Sequence, residues 1–155
     1  MKINIEFDAS LAESEILIRC PSPDEEAQKL QQALYDAVLY SKKFMCYQEN
    51  TEYYIPLDSI LFFETDTGRI RAHTAKDVYF TKLKLYELEE LLPGTFMRVS
   101  KSAILNTNHV YSITKNLAAS SVVEFTGTHK QVYVSRHYYK PLKFKLEEKR
   151  NEYEK

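Results

Sequence analysis

Alternating hydrophobic and polar residues recur along the last two-thirds of the chain and predict many short β-strands. Segments 69–74, 121–126 and 131–134 place apolar side chains at every second position, which puts them on one face of a strand. Turn-forming residues separate such segments, for example in the runs Asp66-Thr67-Gly68 and Gly127-Thr128-His129. Residues 60–65 and 78–80 show the same strand character, and Tyr53-Tyr54-Ile55 runs into Pro56 as a strand end or edge.

The first 47 residues follow a different plan and predict a small β-β-α appendage. Alternation predicts strands over residues 2–7 and 15–20, and a helix over residues 22–43 follows. Ser22 is placed to cap this helix, with Pro23 at its first position and Glu25 completing a capping box. Its apolar stripe comprises Ala27, Leu30, Leu34, Ala37, Val38 and Ser41. The appendage is too small to be very stable alone, so the helix either packs within the monomer or forms a homodimer interface.

Two shorter helices are predicted later in the chain. Residues 85–92 have leucines at helical spacing, and Pro93-Gly94 ends that helix. A proline deep inside a regular helix is unfavourable, so residues 136–140 are predicted to form a turn and the last helix to span 141–150. The tail, 151–155, is expected to fray. The domain plan is therefore 1–47, 48–150 and the tail.

Composition narrows the classes of protein that fit. The 155 residues are 44% hydrophobic, which is enough for a packed core. No signal-peptide pattern and no membrane-spanning apolar run occurs, so we expect a cytoplasmic protein. Cys20 and Cys46 lack metal-ligand spacing and are predicted to be free thiols.

Charge is distributed unevenly along the chain. The formal net charge is −1, but residues 97–150 contain ten basic and three acidic side chains, or +7, whereas residues 1–96 contain ten and seventeen, or −7. A chain with this asymmetry can present a basic face to nucleic acid even though its total charge is near zero. Residues that are close in sequence need not be close on the surface. An asymmetry without functional meaning is therefore an alternative explanation of this charge distribution.

The stretch from Phe96 to Ile113 places basic and hydroxyl residues between apolar runs. Arg98 and Lys101 stand beside Ser100 and Ser102, and an apolar run follows that ends at Asn106. Arg, Lys and Ser are side chains that meet phosphates and base edges, although a solvated strand end has the same residue types. The order of residues resembles the signature of the LytTR family of DNA-binding domains of bacterial transcriptional regulators. The matching positions are Phe96, Arg98, Lys101, Ser102, Ile104, Leu105, Asn106, Val110 and Ile113.

The resemblance implies a mainly β, antiparallel multi-sheet domain with short helices that reads successive DNA major grooves with loops. The implied DNA-binding residues are Arg69, Ser100, Lys101, Ser102, Arg136 and Lys140. Gly68 stands where family members often have a His before Arg69, so that contact is missing here. Lys115, Lys140 and Lys143 are implied to contact only the DNA backbone, and Asn106 is expected to be a structural turn residue.

The sequence offers no support for an enzyme or a cofactor. Motifs for nucleophilic, metal or phosphate-loop chemistry do not occur, and the four His fit no metal site. About 45 residues before the DNA-binding region are too few for a receiver domain. We therefore expect a stand-alone regulator that binds double-stranded DNA. A homodimer through the helix over 22–43 and control by a membrane protein are the further partners that we consider. The alternative is a protein-interaction module whose acidic N-terminal half binds a partner without DNA contact.

Overall fold

The computed structural model describes residues 4–40 and 42–154. Its contacts divide the chain into two compact units, residues 1–33 and 34–155. The helices are α1 (Glu25–Tyr40), α2 (Leu85–Leu91) and α3 (Arg136–Glu154). The strands are β1 (Lys43–Gln48), β2 (Thr51–Pro56), β3 (Phe62–Asp66), β4 (Arg69–His73), β5 (Val78–Thr81), β6 (Phe96–Ser100), β7 (Ala103–Asn106), β8 (Val110–Thr114), β9 (Ser121–Phe125) and β10 (Gln131–Val134).

The smaller unit differs from the predicted β-β-α appendage. Residues 4–24 form no strand, so the predicted strand over 15–20 is wrong, as is the described part of the strand over 2–7; residues 2 and 3 lie outside the described residues. Phe7 and Ile16 are exposed. Alternation favours a strand only where another strand supplies hydrogen bonds and covers one face, and the described segment has no such partner.

Helix α1 begins later than predicted because Asp24, rather than Ser22, caps it. The Ala27 amide donates to Asp24 Oδ1 at 2.9 Å, and Ser22 Oγ donates to Asp24 Oδ2 at 2.8 Å. These hydrogen bonds, the Ala27 amide first, lower the pKa of Asp24. Of the predicted stripe, Ala27, Leu30 and Leu34 are half-buried, Ala37 and Val38 are exposed, and Ser41 lies outside the described residues.

A seven-stranded antiparallel sheet in the order β2-β1-β5-β4-β3-β7-β6 dominates the larger unit. Its central strands are buried on both faces, which explains their continuous apolar runs. Phe63 and Ile104 belong to one core cluster with Leu85 and Leu88 of α2. Phe62 belongs to a second cluster on the other face. β2 is an edge strand, as the Pro56 position predicts.

A three-stranded antiparallel sheet, in the order β10-β9-β8, contributes to the second core cluster together with α3. Val123 and Phe125 of β9 and Leu142 of α3 are fully buried there. Phe125 stacks on Phe62 with ring centres 5.3 Å apart, which joins the small sheet to the large one. The prediction of a mainly β fold with antiparallel sheets and short helices is confirmed.

The last helix is longer than predicted. α3 begins at Arg136, so the predicted turn over 136–140 is the first part of the helix, and Pro141 lies inside it. Proline in a helix costs about 3 kcal/mol, but Tyr138 and Tyr139 before it and Leu142 and Leu146 after it pack against the second core cluster. Packing on both sides of Pro141 therefore holds the helix together. The helix includes residues 151–154, where the sequence predicted a frayed tail.

Among the described residues, no helix combines the length and apolarity that a bilayer span requires. Both cysteines are free thiols, Cys46 buried and Cys20 exposed. Burial raises the pKa of the Cys46 thiol to about 11, so that thiol stays protonated and unreactive at neutral pH.

Candidate nucleic-acid interface

The turn between β3 and β4 presents the first predicted site residue. Asp66 pairs with Arg69, which leaves Thr67 and Gly68 as a two-residue turn with φ of 48° and 80°. Positive φ at both positions gives the tight turn that suits a hairpin. Arg69 is exposed, and its guanidinium carbon lies 3.8 Å from the centre of the Phe80 ring. The aromatic ring supports one face of the guanidinium, and the N–H edge of the guanidinium stays open to solvent.

The turn between β6 and β7 carries the second group, Ser100, Lys101 and Ser102. The Ser102 amide donates to Ser100 Oγ at 3.1 Å, and the two hydroxyl oxygens lie 3.3 Å apart. Ser100 is half-buried, and its hydroxyl therefore shapes the turn. Lys101 and Ser102 are exposed at its tip. Lys101 is the side chain of this turn with the longest reach into solvent.

Arg98 stabilises the β6–β7 turn through its guanidinium group. Its Nε donates to the Ser100 carbonyl and its Nη2 to the Lys101 carbonyl, both at 2.6 Å. Its Nη1 lies 2.7 Å from Glu89 Oε2 on α2. Three contacts from one planar group hold the two turn carbonyls, and with them the backbone at Lys101. The sequence pattern indicates Arg98 only as a signature residue, because its contacts with the turn carbonyls and with Glu89 depend on the fold.

The first residue of α3, Arg136, is the third predicted site. Its Nη2 donates to the Ala118 carbonyl in the β8–β9 loop at 2.6 Å. The Ser135 amide donates to the Val99 carbonyl at 2.9 Å, which attaches the start of α3 to the end of β6. Arg136 is exposed, and its remaining N–H groups are available to a ligand.

These three places, the β3–β4 turn, the β6–β7 turn and the start of α3, lie at the same end of the sheets and are called the three turns below. β3 and β7 are antiparallel neighbours, and the Thr65 amide donates to the Ser102 carbonyl at 2.8 Å, so the β3–β4 and β6–β7 turns are adjacent. The Ser135–Val99 hydrogen bond brings Arg136 next to Ser100. The fold therefore brings Arg69, Lys101 and Arg136 to one end, although they are far apart in sequence.

Carboxylates near these turns are occupied by other cations. Asp66 pairs with Arg71, and Glu89 pairs with Arg98. Among the described residues no ion pair forms to Arg69, Lys101 or Arg136. The positive charge of the three turns is thus not cancelled by a bonded acid.

The other predicted lysines take different positions. Lys140 is exposed on α3. Lys143 pairs with Glu147 on the same helix, with N and O 3.6 Å apart. Lys115 Nζ lies 5.2 Å from the centre of the Tyr139 ring. Asn106 is fully buried, where it donates to the Ile60 carbonyl at 3.0 Å and accepts from the Asn108 amide at 3.1 Å, in line with the structural role expected for it.

The opposite end of the large sheet has a partly buried polar cluster. His73 Nε2 lies 2.8 Å from Glu64 Oε1, and the His73 ring stacks on Phe62. Burial lowers the pKa of His73, more than the neighbouring Glu64 raises it. Lys130 Nζ donates to the carbonyls of Thr74 and Asp77, both at 2.8 Å, and desolvation lowers the pKa of Lys130. No group of metal-ligating side chains forms among the described residues.

The described part of the chain is thus an antiparallel β domain that presents cations at one end of its sheets. The chain belongs to the LytTr DNA-binding domain family, which matches residues 50–147. Its structure is similar to the solved LytTr DNA-binding domain of a Bacillus cereus protein, with a TM-score of 0.61 and 20% identity. That likeness covers 66% of this chain and 94% of the other.

Relatives of full length come from Staphylococcus aureus. One, from strain NCTC 8325, is 29% identical over 146 residues, which is 94% of this chain and 98% of the relative. Another, from the bovine strain RF122, is 30% identical over 148 residues with the same coverage. Both are named uncharacterized HTH-type transcriptional regulators. In the present chain strands separate α1 from α2 and α2 from α3, so these helices do not form a helix-turn-helix.

Proposed function

We propose that this protein is a bacterial transcriptional regulator that binds double-stranded DNA through three turns. The observation that carries the proposal is the placement of Arg69, Lys101 and Arg136 at one end of the sheets, without bonded carboxylates. Loops of this kind enter the major groove, where Arg reads guanine and contacts phosphates. Ser102 lies in the same turn as Lys101, and Lys140 lies in the same helix as Arg136. Both add polar contacts to the DNA backbone.

The start of α3 supports an anionic ligand at Arg136. A helix N-terminus carries a partial positive charge, and acidic residues usually occupy the first turn. The first turn of α3 has none, and Arg136 begins it. A cation there is unfavourable in isolation, whereas a DNA phosphate would complement both the helix end and the guanidinium.

The same placement favours DNA binding over the alternative of a protein-interaction module. Scattered cations together with an exposed apolar face on the N-terminal helix would favour that module, whereas the β3–β4 turn, the β6–β7 turn and the start of α3 are adjacent. Binding to the bacterial chromosome implies a cytoplasmic protein. We further propose that two copies pair through α1, on which Tyr35 and Val38 are exposed. Control by a membrane protein stays a prediction of the family resemblance.

Selection of bound duplexes from a random pool, at two salt concentrations, tests this function. We expect enrichment of a repeated sequence and an affinity that falls as salt increases, because phosphate contacts release counterions. With the selected duplex, Arg136→Ala should cost about 1–3 kcal/mol of binding free energy and relax the preference at one base pair. Arg136→Lys is the control that keeps the charge and removes the planar fork.

Two outcomes would contradict the proposal. One is recovery of no enriched duplex at either salt concentration. The other is an Arg136→Ala protein, folded by circular dichroism, that binds the selected duplex with unchanged affinity and preference.

A further inference from the structure

A cleft of about 550 Å³ opens beside Arg69, which is the one predicted site residue among those that line it. The β1–β2 turn, the β3–β4 turn and the segment that joins β5 to α2 line it. β4 pairs with β5 so that Ile70 faces Thr81. The residues that follow Thr81 therefore lie beside Arg69, at the end of the sheet that presents the three turns.

The β3–β4 turn and the segment between β5 and α2 supply three cations to the cleft, which we call its cationic wall. Arg69 lies on the Phe80 ring, and Lys82 Nζ lies 4.7 Å from the centre of the Tyr47 ring. Lys84 is exposed just before α2. None of these three cations pairs with a carboxylate among the residues described. Aromatic faces support two of the cations without neutralising them, so their charge remains available to an external anion.

The β1–β2 turn and β2 supply two carboxylates to the cleft, which we call its acidic wall. Glu49 lies in the β1–β2 turn, and Glu52 accepts a hydrogen bond from Tyr54 Oη at 3.0 Å. The lining thus holds three cations and two carboxylates, 3 − 2 = +1. Because the cations and the carboxylates come from different segments of the chain, an extended anion that runs along the β3–β4 turn and the segment before α2 meets mainly cations. A small free anion inside the cleft would meet both walls.

We propose that the cationic wall binds the phosphate backbone of the duplex, next to the groove that the β3–β4 turn enters. Lys82 and Lys84 are then further DNA-binding residues, and Glu49 and Glu52 set the outer limit of the DNA footprint. This inference rests on the proposed function. It extends the contact from the turns to a continuous strip that runs from Lys101 through Arg69 to Lys84.

The test compares the salt dependence of the dissociation constant for the selected duplex among single variants. Lys82→Gln and Lys84→Gln should each weaken all duplexes alike and lower the slope of log K against log salt by about 0.9. Lys76→Gln is the matched control, because Lys76 is exposed in the β4–β5 turn at the opposite end of the same hairpin. It should leave the slope unchanged.

A second pair of variants predicts the opposite sign. Glu49→Gln and Glu52→Gln remove repulsion and should strengthen binding about two- to fivefold at low salt, with the gain lost at high salt. All these side chains are exposed, so thermal unfolding should be nearly unchanged and binding changes are not folding defects.

Three results would overturn the inference. Slopes for Lys82→Gln and Lys84→Gln that match Lys76→Gln, while Arg136→Ala still weakens binding, would remove the cleft from the interface and leave the proposed function intact. Chemical-shift changes at Lys82 and Lys84 with inorganic phosphate but not with duplex would assign the cleft to a free anion. Failure of the unaltered protein to bind any duplex would overturn both proposals.

Discussion

Arg98 illustrates how one side chain shapes a surface turn at the scale of single residues. Its guanidinium bonds two consecutive carbonyls of the β6–β7 turn and a carboxylate on α2. It does not reach outward, so we assign it a positioning role for Lys101 rather than a DNA contact. Preorganised contacts bind more tightly because less conformational entropy is lost on binding.

Arg98→Ala should therefore weaken binding to the selected duplex by about 1–2 kcal/mol, roughly 5- to 30-fold. It should also lower the free energy of unfolding by about 1–3 kcal/mol, because two turn carbonyls and the Glu89 carboxylate lose a charged donor. The measurement pairs fluorescence anisotropy with urea unfolding. Unchanged affinity in a destabilised Arg98→Ala protein would show that the turn needs no support from Arg98.

His73 is a residue whose burial has a consequence for stability. Desolvation lowers its pKa in the folded protein below the ordinary value, while Glu64, Lys130 and Arg71 are the charged groups that face it. As the pH falls, the unfolded chain binds a proton at this position before the folded protein does. The contribution of neutral His73 to stability is therefore present above about pH 6.5 and is lost as the pH falls below it.

The free energy of unfolding should thus decrease between pH 7.5 and pH 5.5, and it should decrease less in His73→Gln. Glutamine does not titrate, yet its amide can still donate to Glu64. Urea unfolding at both pH values measures the difference. An equal decrease in the two proteins would mean that His73 does not carry this pH dependence.

At the scale of elements, local chemistry made some parts of the fold predictable and others not. The β3–β4 turn followed from Asp66-Thr67-Gly68, since Gly accepts positive φ and the flanking strands alternate. The sequence patterns that predict strand β9 and helix α2 are equally local. These elements are specified by residues that are close in sequence.

The presence or absence of tertiary contacts explains why two elements were predicted wrongly. Pro141 indicated a helix start, but Leu142 and the tyrosines before Pro141 pack on the second core cluster and extend α3 to Arg136. Conversely, residues 15–20 alternate like a strand but have no strand beside them. Neither a distant packing partner nor the absence of one can be read from a local pattern.

Lys130 connects two elements at the end of the molecule away from the three turns. Its ammonium group bonds two carbonyls of the β4–β5 turn. Lys130→Met should lower the free energy of unfolding by about 1–3 kcal/mol, because both carbonyls lose a charged donor. Its affinity for the selected duplex should be unchanged, which makes it a stability-matched control for Arg98→Ala. A large loss of affinity would place Lys130 in or near the interface.

At the scale of the whole molecule, the placement of charge matters more than the total. A net charge of −1 gave no indication of a DNA-binding protein, and only the excess of basic residues after position 97 pointed to one. Arg69 comes from the acidic half of the sequence, and only strand pairing brings it beside Lys101. The order of residues from Phe96 to Ile113 identified the family, but the convergence of the turns required the fold.

The most direct test of this account is the affinity for the selected duplex of the protein carrying Arg69→Ala, Lys101→Ala and Arg136→Ala together. If the three turns form one DNA-binding end, the combined variant should lose at least about 3 kcal/mol of binding free energy, roughly 150-fold, at unchanged stability. Lys76→Ala, at the opposite end, should bind like the unaltered protein. A folded triple variant that binds the duplex as tightly as Lys76→Ala would contradict the account.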